Sequence, residues 1–130
     1  MKKNIIIAAG VAVLLLAGFG TFRYANSSME PAEVIRKLSG MRMAITFFRL
    51  AGGRQPADIG EVIKKGNLEA VPVLKLKRHL ASSKVRNAPE PAALDTGGWA
   101  YVNDPKSRAF GTVFIDCTHK DGKGRSWSDF

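Results

Sequence analysis

One cysteine and two histidines are all that this chain of 130 residues offers for thiol or imidazole chemistry. A single Cys builds neither a disulfide framework nor a cysteine-rich zinc site. Acidic residues are also scarce, 11 against 20 Lys+Arg, for a formal net charge of +9. None of them precedes Glu30. The length excludes a Rossmann enzyme or a TIM barrel, each of which needs far more chain. A hydrophobic content of 45% excludes a wholly disordered polymer. What remains is one domain with room for one appended segment.

The apolar residues are concentrated at one end. Residues 5–22 run from Ile5 through Val11, Leu14 and Leu16 to Phe22, and only Thr21 among them is polar. As a helix such a run is about 27 Å long, close to a hydrocarbon core of about 30 Å. Lys2 and Lys3 precede it and Arg23 follows it, which favours a cytoplasmic N-terminus. A cleaved signal would have a shorter apolar region ending in a small-x-small site. Here the run ends in Gly18-Phe19-Gly20-Thr21-Phe22, with bulky residues where small ones are needed, and no Cys follows it to carry a lipid. The expectation is an uncleaved anchor over residues 1–23 in the inner membrane. Residues 24–130 form an exported domain outside it, in the periplasm or beyond.

Pro31 can open a helix, with Ser28 nearby as a cap. Val34, Leu38, Met41, Ile45 and Phe48 then recur at helical spacing and mark one face for the core. Gly52-Gly53 ends that helix. Residues 58–65 fit a short helix with Ile59, Val62 and Ile63 inward, stopped by Gly66-Asn67. Residues 73–80 read equally as a half-exposed strand or a helical turn, and 82–98 read as a loop rich in Pro and Gly. Trp99–Asn103 and Ala109–Asp116 have strand composition and flank an Asp104-Pro105 turn, which predicts a hairpin. Trp99, Phe48 and Ile45 are expected in the core. The fold class is α+β: a transmembrane helix, an amphipathic helix and a short helix, the last two packed on a small C-terminal antiparallel sheet.

The order of these pieces resembles the type IV pilin and type II secretion pseudopilin superfamily. Three stretches carry the likeness. Leu38–Phe48 running into Gly53-Arg-Gln-Pro56 is similar to the end of a pilin helix and its Gly-x-x-Pro exit. Ile59–Val62 with Gly66–Pro72 is similar to the short helix and loop that follow. Gly97-Gly-Trp99-Ala-Tyr101 with Gly111-Thr-Val113-Phe-Ile115 is similar to the final hairpin. The usual processing motif is absent: only Met-Lys-Lys-Asn4 precedes the apolar run, which holds no acidic residue. The resemblance implies a structural, non-enzymatic subunit that assembles with other pilin-like subunits through its apolar helix. Small residues such as Gly10, Ala12 and Ala17 would permit close helix packing.

No catalytic constellation is evident. Neither His79 nor His119 lies in a recognised nucleophile motif, and Cys117 with His119 gives two ligands, which do not make a metal site. Asp116, Asp121 and Asp129 offer the oxygens calcium takes, and some pseudopilins bind calcium near their C-terminus. Lys120, Lys123 and Arg125 crowd the same loop, however, and the favoured reading is a solvated turn with no cofactor. Lys75, Lys77, Arg78, Lys84 and Arg86 form a run with no acidic residue among them. They are the candidate contacts in the alternative reading, a membrane-tethered module that binds DNA or another polyanion. No aromatic residue interleaves with them to stack bases, so nucleic acid is the less favoured partner.

Overall fold

The computed structural model describes residues 1–130. Helix α1 spans Lys2–Asn26, carries Arg23 in its last turn and buries none of its residues. A helix apolar all round over residues 5–22, met by the rest of its chain at Tyr24 and Ala25 near its C-terminal end, matches lipid rather than water. It is long and apolar enough to cross a membrane. Ser27 ends it in an extended conformation, its amide bonded back to the Arg23 and Tyr24 carbonyls.

Helix α2 spans Pro31–Gly52. Its cap position is Glu30, not Ser28, and no side chain caps it; Pro31 at the first turn supplies the fixed φ and loses no helical hydrogen bond. All five residues of the expected stripe are buried, with Ala44 between them. Gly53 ends the helix in the left-handed region at φ 67°. Helix α3, Ile59–Lys64, is capped by the Asp58 side chain, which accepts from the Glu61 amide. Ile59 and Val62 are buried and Ile63 partly so.

The sheet has three strands in the order β1-β2-β3: Val85–Ala88, Trp99–Val102 and Val113–Ile115. The expected hairpin is present, with β2 and β3 antiparallel and Trp99 opposite Ile115. Two expectations need correction. The sheet is mixed, not antiparallel, because β1 runs parallel to β2. Also, β1 lies inside the stretch expected to be loop. Val85-Arg-Asn-Ala88 has little strand propensity of its own, so its conformation comes from pairing with the central strand. Residues 109–111, expected in strand, are turn, and Gly111 takes φ 89° there.

β2 is buried on both faces. Trp99 and Tyr101 face the main core with the α2 stripe, Val62, Leu74 and Leu76. Ala100 and Val102 face a smaller cluster with Phe114. The Trp99 indole N–H donates to the Pro72 carbonyl at 2.7 Å, which satisfies the ring's one polar group. The segment 73–80, open between two readings in sequence, makes an isolated bridge from Leu74 to Ser82 around a turn.

Candidate functional site

Beyond the end of β3 the chain places Asp116 and Cys117, both fully buried. The Asp116 carboxylate accepts from Arg86 Nε at 2.8 Å, the Thr96 hydroxyl at 2.7 Å and the Leu94 amide at 2.6 Å. Burial disfavours its charge, but the Arg86, Thr96 and Leu94 donors outweigh that and hold its pKa below the ordinary carboxylate value. Backbone bonds join the same segments, from Gly97 N–H to the Asp116 carbonyl and from Asp116 N–H to the Gly98 carbonyl. The loop 94–98 is thus fastened on both sides of Asp95. Asp95 itself lies at φ 65°, a left-handed conformation that Asp tolerates better than most residues.

This fastening brings Asp95 to Cys117, His119 and His79, whose donor atoms all lie within 4.8 Å of one another. His79 Nε2 and His119 Nδ1 are 3.2 Å apart. Each is also 3.2 Å from Asp95 Oδ1. Cys117 Sγ is 3.4 Å from His79 Nε2 and 3.5 Å from His119 Nδ1. The Thr118 amide donates to Asp95 Oδ1 at 2.9 Å. Burial disfavours the Asp95 charge; the Thr118 donors and the two imidazoles offset it, and the pKa is lowered.

His79 is placed from the other side. Arg78 before it takes φ 68°, and its amide donates to the Ala25 carbonyl near the end of α1. The Lys75 ammonium donates to the carbonyls of His79, Leu76 and Ser27, and lies 4.8 Å from the centre of the Tyr24 ring. The ring of His79 rests against Gly97, where a Cβ would fall 2.4 Å from its Cγ. Gly97 also takes φ 76°, so glycine is needed there twice over.

The cluster is poorly suited to nucleophilic chemistry. Burial pushes the Cys117 thiol up to about 11; the His119 amide opposes this and the charges of Asp95 and Asp116 add to it. A thiol so placed is inert. The adjoining hollow, about 230 Å³, is lined by Lys77, Arg78, His119 and Lys120 and contains no apolar residue.

The sequence paired Cys117 with His119 alone. His79 and Asp95 are added by two distant loops with no fixed spacing between them. The nearest local signal was that one of the two histidines stands beside the one cysteine. The other candidate residues divide. Lys75 and Arg86 are spent inside the fold, on carbonyls and on Asp116 respectively, and drop out of the proposed polyanion face. Lys77, Arg78 and Lys84 remain exposed. Asp121 is engaged by Arg125 through Nε at 2.8 Å and by the amides of Lys123 and Arg125. Asp116 and Asp121 each serve a different arginine, Arg86 and Arg125. Gly10, Ala12 and Ala17 lie exposed along α1. Comparison of the chain with protein-family models, curated proteins and solved structures found no match.

Proposed function

We propose that this chain is a single-pass membrane subunit of pilin-like build, which assembles through its apolar N-terminal helix with other subunits in a filament or secretion apparatus. The observation that carries the reading is α1, 25 residues long with none buried, beside a domain whose core is already complete. A surface of that size needs lipid or other helices to cover it. The α2 helix adds to the argument. Its inner stripe is covered by the sheet, but Met43, Phe47 and Leu50 on its outer side stay 58%, 53% and 72% exposed. These three recur at helical spacing and leave an exposed apolar stripe on α2.

Packing between anchors gains little from hydrophobicity once lipid surrounds them; close approach of small residues supplies the contact instead. Gly10, Ala12 and Ala17 serve that purpose. The order of anchor, amphipathic helix, Gly53–Pro56 exit and closing sheet supports the same reading. So does the Arg54–Glu61 pair, at 2.9 and 3.0 Å, which holds the exit against α3. Lys2 and Lys3 against Arg23 favour a cytoplasmic N-terminus and an exported domain.

The test is photo-cross-linking in membranes from a reactive residue placed at Val13. The reading predicts adducts to pilin-sized chains and filaments in the same preparation by electron microscopy. Adducts to lipid alone, with no filaments, would contradict it.

A further inference from the structure

We propose that His79, Asp95, Cys117 and His119 bind one zinc ion in a closed, four-coordinate structural site that ties three loops of the domain together. His79 Nε2 has His119 Nδ1, Asp95 Oδ1 and Cys117 Sγ within 3.4 Å, and His119 Nδ1 faces the corresponding three atoms within 3.5 Å. An imidazole nitrogen offers one proton or one lone pair, directed along one line in the ring plane. It can serve one such partner, not three. Four donor atoms with five of their six pairs within 3.5 Å, and all within 4.8 Å, are instead arranged as the corners of a polyhedron around a common centre.

The five short edges match a tetrahedron. Metal–nitrogen and metal–oxygen bonds near 2.0–2.1 Å and a metal–sulfur bond near 2.3 Å give tetrahedral edges of about 3.3 Å between N or O donors, and about 3.6 Å from nitrogen to sulfur. The chain has 3.2 Å for the three edges among His79, His119 and Asp95, and 3.4 and 3.5 Å for the two edges from the imidazoles to Cys117. The longer edges fall on the sulfur, as they must.

The donor set selects the ion. Two imidazoles and a thiolate disfavour calcium and magnesium, which take oxygen, and suit zinc. Thiolate and carboxylate together bring two negative charges, which neutralise a divalent ion. The occupied site is therefore neutral as a whole beside Lys77, Arg78 and Lys120, which line the adjoining hollow. Four protein ligands leave no open position, the arrangement of a structural and not a catalytic zinc. The thiol gives up its proton on binding.

The backbone around the cluster is already shaped for this. Arg78 and Asp95 are the chain's two non-glycine residues at positive φ; one precedes a ligand and the other is a ligand. The ion would join the turn at 77–79, the loop 94–98 and the segment after β3. Lys75 bonds both the His79 and the Ser27 carbonyls, so the same ion steadies the place where the anchor helix meets the domain.

The experiment uses the full chain in detergent micelles, stripped with chelator and titrated with zinc, and in parallel with cobalt. One zinc per chain is expected. The cobalt form should show the intense visible bands of a tetrahedral site and a thiolate charge-transfer band that Cys117→Ser abolishes. His119 is about one-third exposed, so His119→Gln should fold normally by circular dichroism. It should lower zinc affinity beyond the about 10–100-fold that outer-shell changes cause. Chelation should lower the thermal midpoint by roughly 10 °C, while Asp129→Asn changes nothing. Less than one zinc per chain at saturation, a six-coordinate cobalt spectrum, or unchanged affinity in His119→Gln would each overturn the proposal.

Discussion

Arg86 of β1 forks the fully buried carboxylate of Asp116 with contacts of 2.8 and 3.1 Å, and the same carboxylate accepts from the residues on either side of Asp95. The pair joins an edge strand, the end of the hairpin and the loop between them. Removing the acid while leaving the arginine strands a charge and two further donors. Asp116→Ala is expected to cost about 3–5 kcal/mol, the cost of breaking a buried pair by deleting one partner. Urea unfolding of wild type and variant measures it.

The two adjacent phenylalanines of α2 separate packing from assembly. Phe48 is 5% exposed and belongs to the main core, while Phe47 is 53% exposed. Phe48→Ala should cost about 3–5 kcal/mol. Phe47→Ser should change stability by less than about 0.5 kcal/mol but reduce assembly. Denaturation midpoints together with filament yield check both halves.

Acid should loosen the helix exit. The Arg54 hydrogen bonds and then the Ala57 amide lower the Glu61 pKa to about 2, against about 4.3 for a free glutamate. A carboxylate depressed in the folded state contributes its stability above the unfolded value and loses it as pH falls towards the folded one. Stability should therefore decline between about pH 4.3 and pH 2, and Glu61→Gln should make that decline shallower. Thermal melts across this range are the measurement.

Two glycines should respond oppositely to alanine. Gly40 lies within α2 and nothing stands within 4 Å of a Cβ there, so Gly40→Ala should stabilise by about 0.5–1 kcal/mol. Gly97 combines φ 76° with a clash against the His79 ring, and Gly97→Ala should destabilise by more than about 1 kcal/mol. Chemical denaturation of the two variants decides it.

Local pattern made much of the fold legible. The α1 run, the α2 stripe, the short α3 and the Trp99–Ile115 hairpin each carry their signal in a few neighbouring residues. Strand β1 was hidden because Val85 is its one β-branched residue and the pairing with β2 is what extends it. The strand expected from Ala109 starts only at Val113, since Gly111 adopts a turn conformation beside Gln55. The His79–Asp95–Cys117–His119 cluster was legible only in its Cys117-x-His119 portion. Its other half depends on how Asp116 fastens one loop and how Lys75 holds another, and no spacing rule encodes either. In the basic run, charge was visible but burial was not, so Lys75 and Arg86 looked as free as Lys77.

The central claim is that α1 is an assembly element and not only a tether. The double variant Gly10→Leu/Ala12→Leu keeps the helix apolar but blocks close approach between neighbouring anchors. The measurement is filament yield from membranes carrying the variant, with circular dichroism of the full chain to confirm that the domain is intact. The account predicts an unchanged spectrum with filament yield reduced at least about tenfold, which corresponds to about 1.4 kcal/mol of lost association. Full yield from the variant would contradict it.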